Sequence, residues 1–214
     1  MPSNALALFD AALSTSERSV VATLTSPTRI QDFLDGLPYR AESEYCCPLR
    51  VVRDRLAHCF DGALFAAAML RHIGHPPLIV NLFAERDDEH LLALFKADGH
   101  FGALAKSNFV GLRYREPVYR TLRELVMSYF DDYYNLDGYK SLRSYSVPVN
   151  LNAFDRTHWM TSDDHLDRLV ARLDAASRVR LLTPGMIRRL SPLDRRSFEA
   201  GMLGTDLKGV YRPG

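Results

Sequence analysis

Long apolar runs are missing from this chain. None approaches the ~20 residues that a membrane-spanning helix needs, so no membrane partner is expected. An excess of charge is missing too. Lys and Arg number 27 against 26 Asp and Glu, a net charge of +1, which gives no global reason to expect nucleic acid or a strongly charged partner. Cysteine is scarce: three residues, two of them the adjacent pair Cys46 and Cys47. An odd count with two neighbours makes no disulfide framework, and a bridge between neighbours is strained. A reducing, cytoplasmic setting is the expected one, which suits a free thiol. The opening Met1-Pro2-Ser3-Asn4 carries no basic residue, and Asp10 interrupts the modest apolar run behind it, so no signal peptide is expected. No C-x-x-C or H-E-x-x-H spacing links His58, His72, His75, His90 or His100 to the cysteines, so neither metal nor other cofactor is expected. Gly99, Gly102 and Gly111 compose no phosphate loop, and there is no internal repeat.

What is present is ordinary globular material. Hydrophobic residues make up 47% and charged residues 25%, enough for a real core in a chain of 214 residues. The core centres on 58–74. Ala, Leu, Phe and Met sit all round the wheel at 60–73, which predicts a buried helix, and Gly74 with Pro76 and Pro77 stops it. Cys59 falls at the start of that helix, where free N–H groups and the helix dipole favour a thiolate. Two short apolar runs follow, Leu78–Phe83 and His90–Phe95, with Asp87, Asp88 and Glu89 between them. A cysteine opening a buried helix, followed by a histidine opening a strand, is an order that thiol catalysis uses.

Elsewhere the pattern is conventional. Residues 4–13 read as a short amphipathic helix. Ser26-Pro27 reads as an N-cap followed by proline at the first helical position. Pro48 opens another helix with Leu49, Val52 and Leu56 on one face. Asp98-Gly99 predicts a tight hairpin turn pairing His90–Phe95 with Phe101–Lys106. Together these place an antiparallel sheet against the central helix. Pro117 is expected to start the longest helix, near 117–135. Ser141–Leu151 reads as extended, Thr161 with Asp164 as a capping box, and 184–203 as one or two short helices. The arginine-rich segments 113–123 and 178–196 are interleaved with acids and apolar residues and read as solvated faces. The division expected is a domain over 1–155 and a helical C-terminal extension over 156–214 packed on it.

The order of Cys59 with Ala63, the Leu70-x-x-x-Gly74-x-Pro76 helix exit, His90 at a strand start and the Asp98-Gly99 turn resembles the transglutaminase-like cysteine proteins. The resemblance spans roughly residues 26–115. It implies an α+β papain-like fold and chemistry through a thioester, with Cys59 as nucleophile and His90 as base and acid. The family's third member, an Asp, has no counterpart here. In strict hairpin register Ser107 falls opposite His90, and the usual Asp position holds Ala105. Asn108 reaches inward only if a bulge or the strand's end turns it, yet an Asn can orient an imidazole, so Asn108 is the preferred third residue and Ser107 the alternative.

The reading is therefore thiol-dependent acyl chemistry, amide hydrolysis or acyl transfer, at Cys59, His90 and Asn108, with backbone N–H groups at the start of the 60–73 helix serving an oxyanion. The substrate expected is a peptide or protein amide. The alternative is an inactive transglutaminase-like domain that binds peptide or protein, for which the missing Asp is the main support. Oligomeric state is not legible.

Overall fold

The structure, a computed structural model, describes residues 5–41 and 44–211. The opening Met1–Asn4 lies outside these. The architecture is α+β: an antiparallel sheet with helices packed on it. The first half is helical: α1 (Ala5–Ala12), α2 (Thr15–Val21), α3 (Pro27–Asp35), α4 (Pro48–Asp54) and α5 (Cys59–His72). The strands are β1 (Leu78–Ala84), β2 (His90–Ala97), β3 (His100–Leu104), β4 (Arg115–Tyr119), β5 (Leu142–Ser146), β6 (Val149–Asn150) and β7 (Arg178–Arg180). Between and after them come α6 (Leu122–Met127), α7 (Leu166–Asp174), α8 (Pro184–Ile187) and α9 (Arg195–Gly201). Sheet order is β4-β3-β2-β1-β5-β7, with β6 also pairing β1.

The local signals explain where several elements begin. Ser26 caps α3 by accepting from the Arg29 N–H, and Pro27 takes the first helical position. Asp98 and Gly99, at φ 48° and 79°, make the two-residue turn between Ala97 and His100. The core helix α5 is buried from Phe60 to Leu70. Phe65, Leu64 and Leu70 are fully enclosed, each contributing about 1.5–3 kcal/mol of transfer free energy.

Strand alternation splits the core in two. Leu91, Ala93 and Phe95 of β2 join the α5 side. Leu92 and Leu94 face the other side, with Tyr129, Tyr133 and Leu182. His90 shares the parity of Leu92, so it too belongs to that side.

Three local expectations fail for identifiable reasons. The long helix at 117–135 is instead the edge strand β4 followed by the short α6. Pro117 sits in β4, which is an edge strand of the sheet among the described residues and shifts register against β3, a setting in which a strand tolerates proline. Thr121 and Glu124 then form the capping box that starts α6. The expected box at Thr161 and Asp164 is not used. The Thr161 hydroxyl donates to the His158 carbonyl, and α7 begins at Leu166 with no side-chain cap. The last stretch is not all helix, since Arg178–Arg180 adds β7 to the sheet beside β5.

Candidate functional site

Cys59 is the first residue of α5, and the element is built to hold it there. His58 is the N-cap. Its Nδ1 accepts from the N–H groups of Phe60 (3.1 Å) and Asp61 (3.4 Å), so that nitrogen carries no proton. Asp61 reciprocates by accepting from the His58 N–H at 3.4 Å and from the Cys46 N–H at 2.8 Å. Its carboxylate lies 3.5 Å from the Arg40 guanidinium. Burial pushes the Asp61 carboxyl up to about 6 and, together with Arg40, holds the His58 imidazole down to about 4. The cap is thus a neutral histidine beside a buried Arg–Asp pair.

Cys59 itself is half-buried, whereas Cys46 and Cys47 are fully enclosed. The helix start was expected to lower its pKa. Instead burial, reinforced by the carboxylates of Asp88 and Asp61, pushes the thiol up to about 12, against a smaller favourable contribution from the Phe60 N–H. The favourable hydrogen bonds from the Phe60 N–H and the Tyr39 hydroxyl are outweighed by that burial. Tyr39, from the irregular stretch before α4, places its hydroxyl on both the backbone N–H and the thiol of Cys59.

His90 opens β2 and is 5% exposed. The turn that delivers it is pinned from several sides. Asp87 accepts from the Ser141 hydroxyl at 2.6 Å, Tyr133 donates to the Asp88 carbonyl at 2.6 Å, and Asn135 donates to the Arg86 carbonyl at 3.2 Å. The His90 Nε2 lies 2.8 Å from the Leu112 carbonyl oxygen. A carbonyl only accepts, so Nε2 carries the proton and Nδ1 is the basic nitrogen. Burial pushes the His90 pKa down to about 4, so the ring is neutral near pH 7. The Leu112 carbonyl is held in place by its loop. Tyr129 donates to the Arg113 carbonyl at 2.7 Å, and Arg115 donates to the Gly111 carbonyl at 2.9 Å.

Cys59 and His90 line one small cavity of about 40 Å³, together with Tyr39, Asp88, Leu112 and Tyr133. Cys59 also lines a larger cleft of about 720 Å³, shared with Tyr39, Asn81, Glu89, Asp174 and Val210. Cys59 therefore borders both a large open cleft and a small pocket that His90 also lines.

Ser107 and Asn108 line the same small pocket as Cys59 and His90, but the hydrogen bonds of Asn108 run to the stretch 206–209. Its amide donates to the carbonyls of Asp206 (2.8 Å) and Gly209 (3.2 Å), and its Oδ1 accepts from the Asp206 N–H at 2.9 Å. Ser107 accepts from the Phe109 N–H at 2.9 Å, closing a local turn. The register argument that brought both forward needs three more residue pairs than the structure has. The β2–β3 ladder ends at Ala93 opposite Leu104. At Ala105 the Gln31 side chain accepts from the N–H at 3.2 Å and donates to the carbonyl at 3.0 Å. Lys106 then turns inward and donates to the carbonyls of Leu34 and Leu37. The residues that sequence reasoning missed are Tyr39 and Leu112. Tyr39 lies in a stretch without periodicity, and Leu112 acts through its backbone, which no side-chain pattern reports.

Among the described residues no cluster of three or more His, Cys, Asp or Glu is arranged to hold a metal ion. No helix of the described residues is long and apolar enough to cross a membrane.

No family model matches the chain, and no curated protein is similar to it in sequence. Among solved structures it is similar to LapG of Legionella pneumophila, at 14% identity and a TM-score of 0.35 over 48% of this chain and 71% of that one. The calcium-bound form of LapG gives 14% identity and 0.35 over 49% and 70%. The EGTA-treated form gives 12% identity and 0.40 over 79% and 96%. Likeness at this level carries neither fold nor chemistry, which have to come from the residues.

Proposed function

We propose that this chain performs thiol-dependent acyl chemistry, amide hydrolysis or acyl transfer, on a papain-like or transglutaminase-like core. The observation that carries the reading is that Cys59 and His90 line one pocket while the Leu112 carbonyl fixes the His90 proton on Nε2. The basic Nδ1 is left to take the Cys59 proton as sulfur attacks the acyl carbon. The carbon–sulfur bond forms, the carbon–nitrogen bond breaks, and His90 returns the proton to the leaving amine. Water or a second amine then takes the acyl group. The orienting role expected of Asn108 passes to the Leu112 backbone carbonyl.

The oxyanion donor follows from how the N–H groups are used. His58 takes those of Phe60 and Asp61, and the Tyr39 hydroxyl sits on that of Cys59, so the Tyr39 hydroxyl is the donor left beside the thiol, where a preorganised donor stabilises a developing charge. A thiol held protonated and an imidazole held neutral make a general-base pair rather than a preformed ion pair. Peptide or protein amides are the substrates that the open cleft suits, and a cytoplasmic setting suits the free thiol.

An inactive, peptide-binding domain is the second reading. The high pKa of Cys59 favours it. Screening peptide amide and ester substrates against wild type, Cys59→Ala and His90→Ala separates the two. Turnover that disappears in both variants supports catalysis. Peptide binding without turnover, unchanged in both, supports the binding domain.

A further inference from the structure

The larger cleft has one unusual wall. Lys208, Gly209, Val210 and Tyr211 line it from the far end of the sequence, alongside Cys59 and Tyr39. Gly209 also lines the small pocket that holds Cys59 and His90. The stretch is positioned by specific contacts. Asn108 grips it from both sides, through the Asp206 N–H, the Asp206 carbonyl and the Gly209 carbonyl. Asp206 closes the turn by accepting from the Lys208 N–H at 3.0 Å, and the Gly209 N–H returns to the Asp206 carbonyl at 3.1 Å. That turn lays Gly209 against Tyr39. A Cβ at Gly209 would sit 2.8 Å and 3.0 Å from two ring carbons of Tyr39 and 3.3 Å from the Asn108 amide nitrogen. Tyr39 is itself bonded to Cys59, so a side chain at position 209 has to push the Tyr39 ring off the thiol.

We propose that the segment Asp206–Tyr211 is a strap that forms one wall of the Cys59 cleft. Asn108 clamps it, Gly209 seats it on Tyr39, and it narrows the approach to the thiol until it is displaced. The polar side chain nearest the expected third position of the triad thus serves as the latch of a strap. The segment lines the cleft as a helical turn over Leu207–Gly209 that opens into extended backbone at Val210. The consequence for activity rests on the acyl-chemistry reading; the narrowing does not, and thiol access measures it without turnover.

The test is the rate of iodoacetamide labelling at Cys59, read by peptide mass spectrometry, with the enclosed Cys46 and Cys47 as internal reporters of unfolding. Four full-length or shortened chains are compared: wild type, Asn108→Ala, Gly209→Val, and a chain ending at Thr205. Cys59 labelling is expected to rise by roughly fivefold or more in all three variants, as it does when a local opening equilibrium is shifted, with Cys46 and Cys47 unchanged. The peptide Asp-Leu-Lys-Gly-Val-Tyr, added to the shortened chain, is expected to slow labelling again, and its Gly→Val version is not. If the shortened chain exposes Cys46 and Cys47, the two point variants decide. A Cys59 rate equal to wild type in folded Asn108→Ala and Gly209→Val overturns the proposal, as does a Gly→Val peptide that protects equally well.

Discussion

His90 donates its Nε2–H to the backbone carbonyl of Leu112, 2.8 Å away, and this one bond decides which nitrogen of the buried ring is basic. No side chain is involved, so substitution at position 112 leaves the acceptor in place. The supports of that loop are the vulnerable points. Tyr129→Phe removes the hydroxyl that holds the Arg113 carbonyl. Turnover in Tyr129→Phe is expected to fall by about tenfold, the scale of a misplaced catalytic group, while Leu112→Ala keeps its tautomer and loses less. Comparing kcat/KM of the two variants checks the order.

The pH dependence of catalysis follows from the same burial. His90 must be neutral to accept a proton, and its pKa is pushed down to about 4. The acid limb of kcat/KM is therefore expected near pH 4, well below the 6.5 or so of a free imidazole. A limb near 6.5 would mean that the working base is more exposed than His90.

Stability is expected to fall on acidification. His58 and His90 both have pKa values pushed down to about 4 by burial. An unfolded histidine titrates near 6.5, so between about 6.5 and 4 the unfolded chain binds more protons and the fold loses stability as pH drops. Asp61 opposes this. Its carboxyl is pushed up to about 6, so the fold binds its proton first, and that contribution fades as pH rises from about 4 to 6. Asp87, Asp88 and Glu89, also raised by burial, act with Asp61, while Glu17, Glu44 and Glu85, held low by their hydrogen bonds, act with the two histidines. Tm is expected to drop from pH 7 to pH 4.5, and His90→Gln is expected to flatten the slope. Thermal melts across that range give the answer.

Gly62 sits inside α5, where alanine ordinarily stabilises a helix by about 1 kcal/mol. Here an added Cβ would collide with the Cβ of the buried Lys106. Gly62→Ala is expected to destabilise by about 1–3 kcal/mol, the cost of overpacking. Urea denaturation showing a gain in stability would place Lys106 elsewhere.

Residues 156–214 are proposed as an extension that packs on a domain over 1–155. Trp159, Leu166, Leu169 and Leu173 are buried in the same core as α5. Leu169→Ala is expected to cost about 2–5 kcal/mol, and a chain ending at residue 154 is expected to aggregate. A stable monomer of that length, judged by gel filtration and melting, would show the tail to be independent.

The sequence made the local features legible, because each rests on a short-range signal: the buried run at 60–73, the Ser26-Pro27 helix start, the Asp98-Gly99 turn. Cys59 and His90 stood out because thiol and imidazole chemistry has a recognisable order. The third position did not. Extending the hairpin register from the turn assumed that β2 and β3 stay paired to His90, whereas the ladder ends at Ala93 opposite Leu104. The apolar spacing of Val118, Leu122 and Leu125 imitated one long helix, although Val118 is 65% exposed on an edge strand. The high pKa of Cys59 was equally out of reach, since it depends on burial by distant segments and on the Asp88 carboxylate standing nearby.

The most direct measurement is the intact mass of the protein after brief incubation with an activated acyl ester, followed by peptide mapping. Wild type and the chain ending at Thr205 are both used, so that a narrowed cleft is not mistaken for an inert thiol. The expected result is a single acyl group on Cys59, absent from Cys59→Ala and formed at least about a hundredfold more slowly in His90→Ala, the scale of general-base assistance. Acylation of Cys59 at the same rate with and without the His90 imidazole, in a folded protein, would contradict the assignment of these two residues as nucleophile and base.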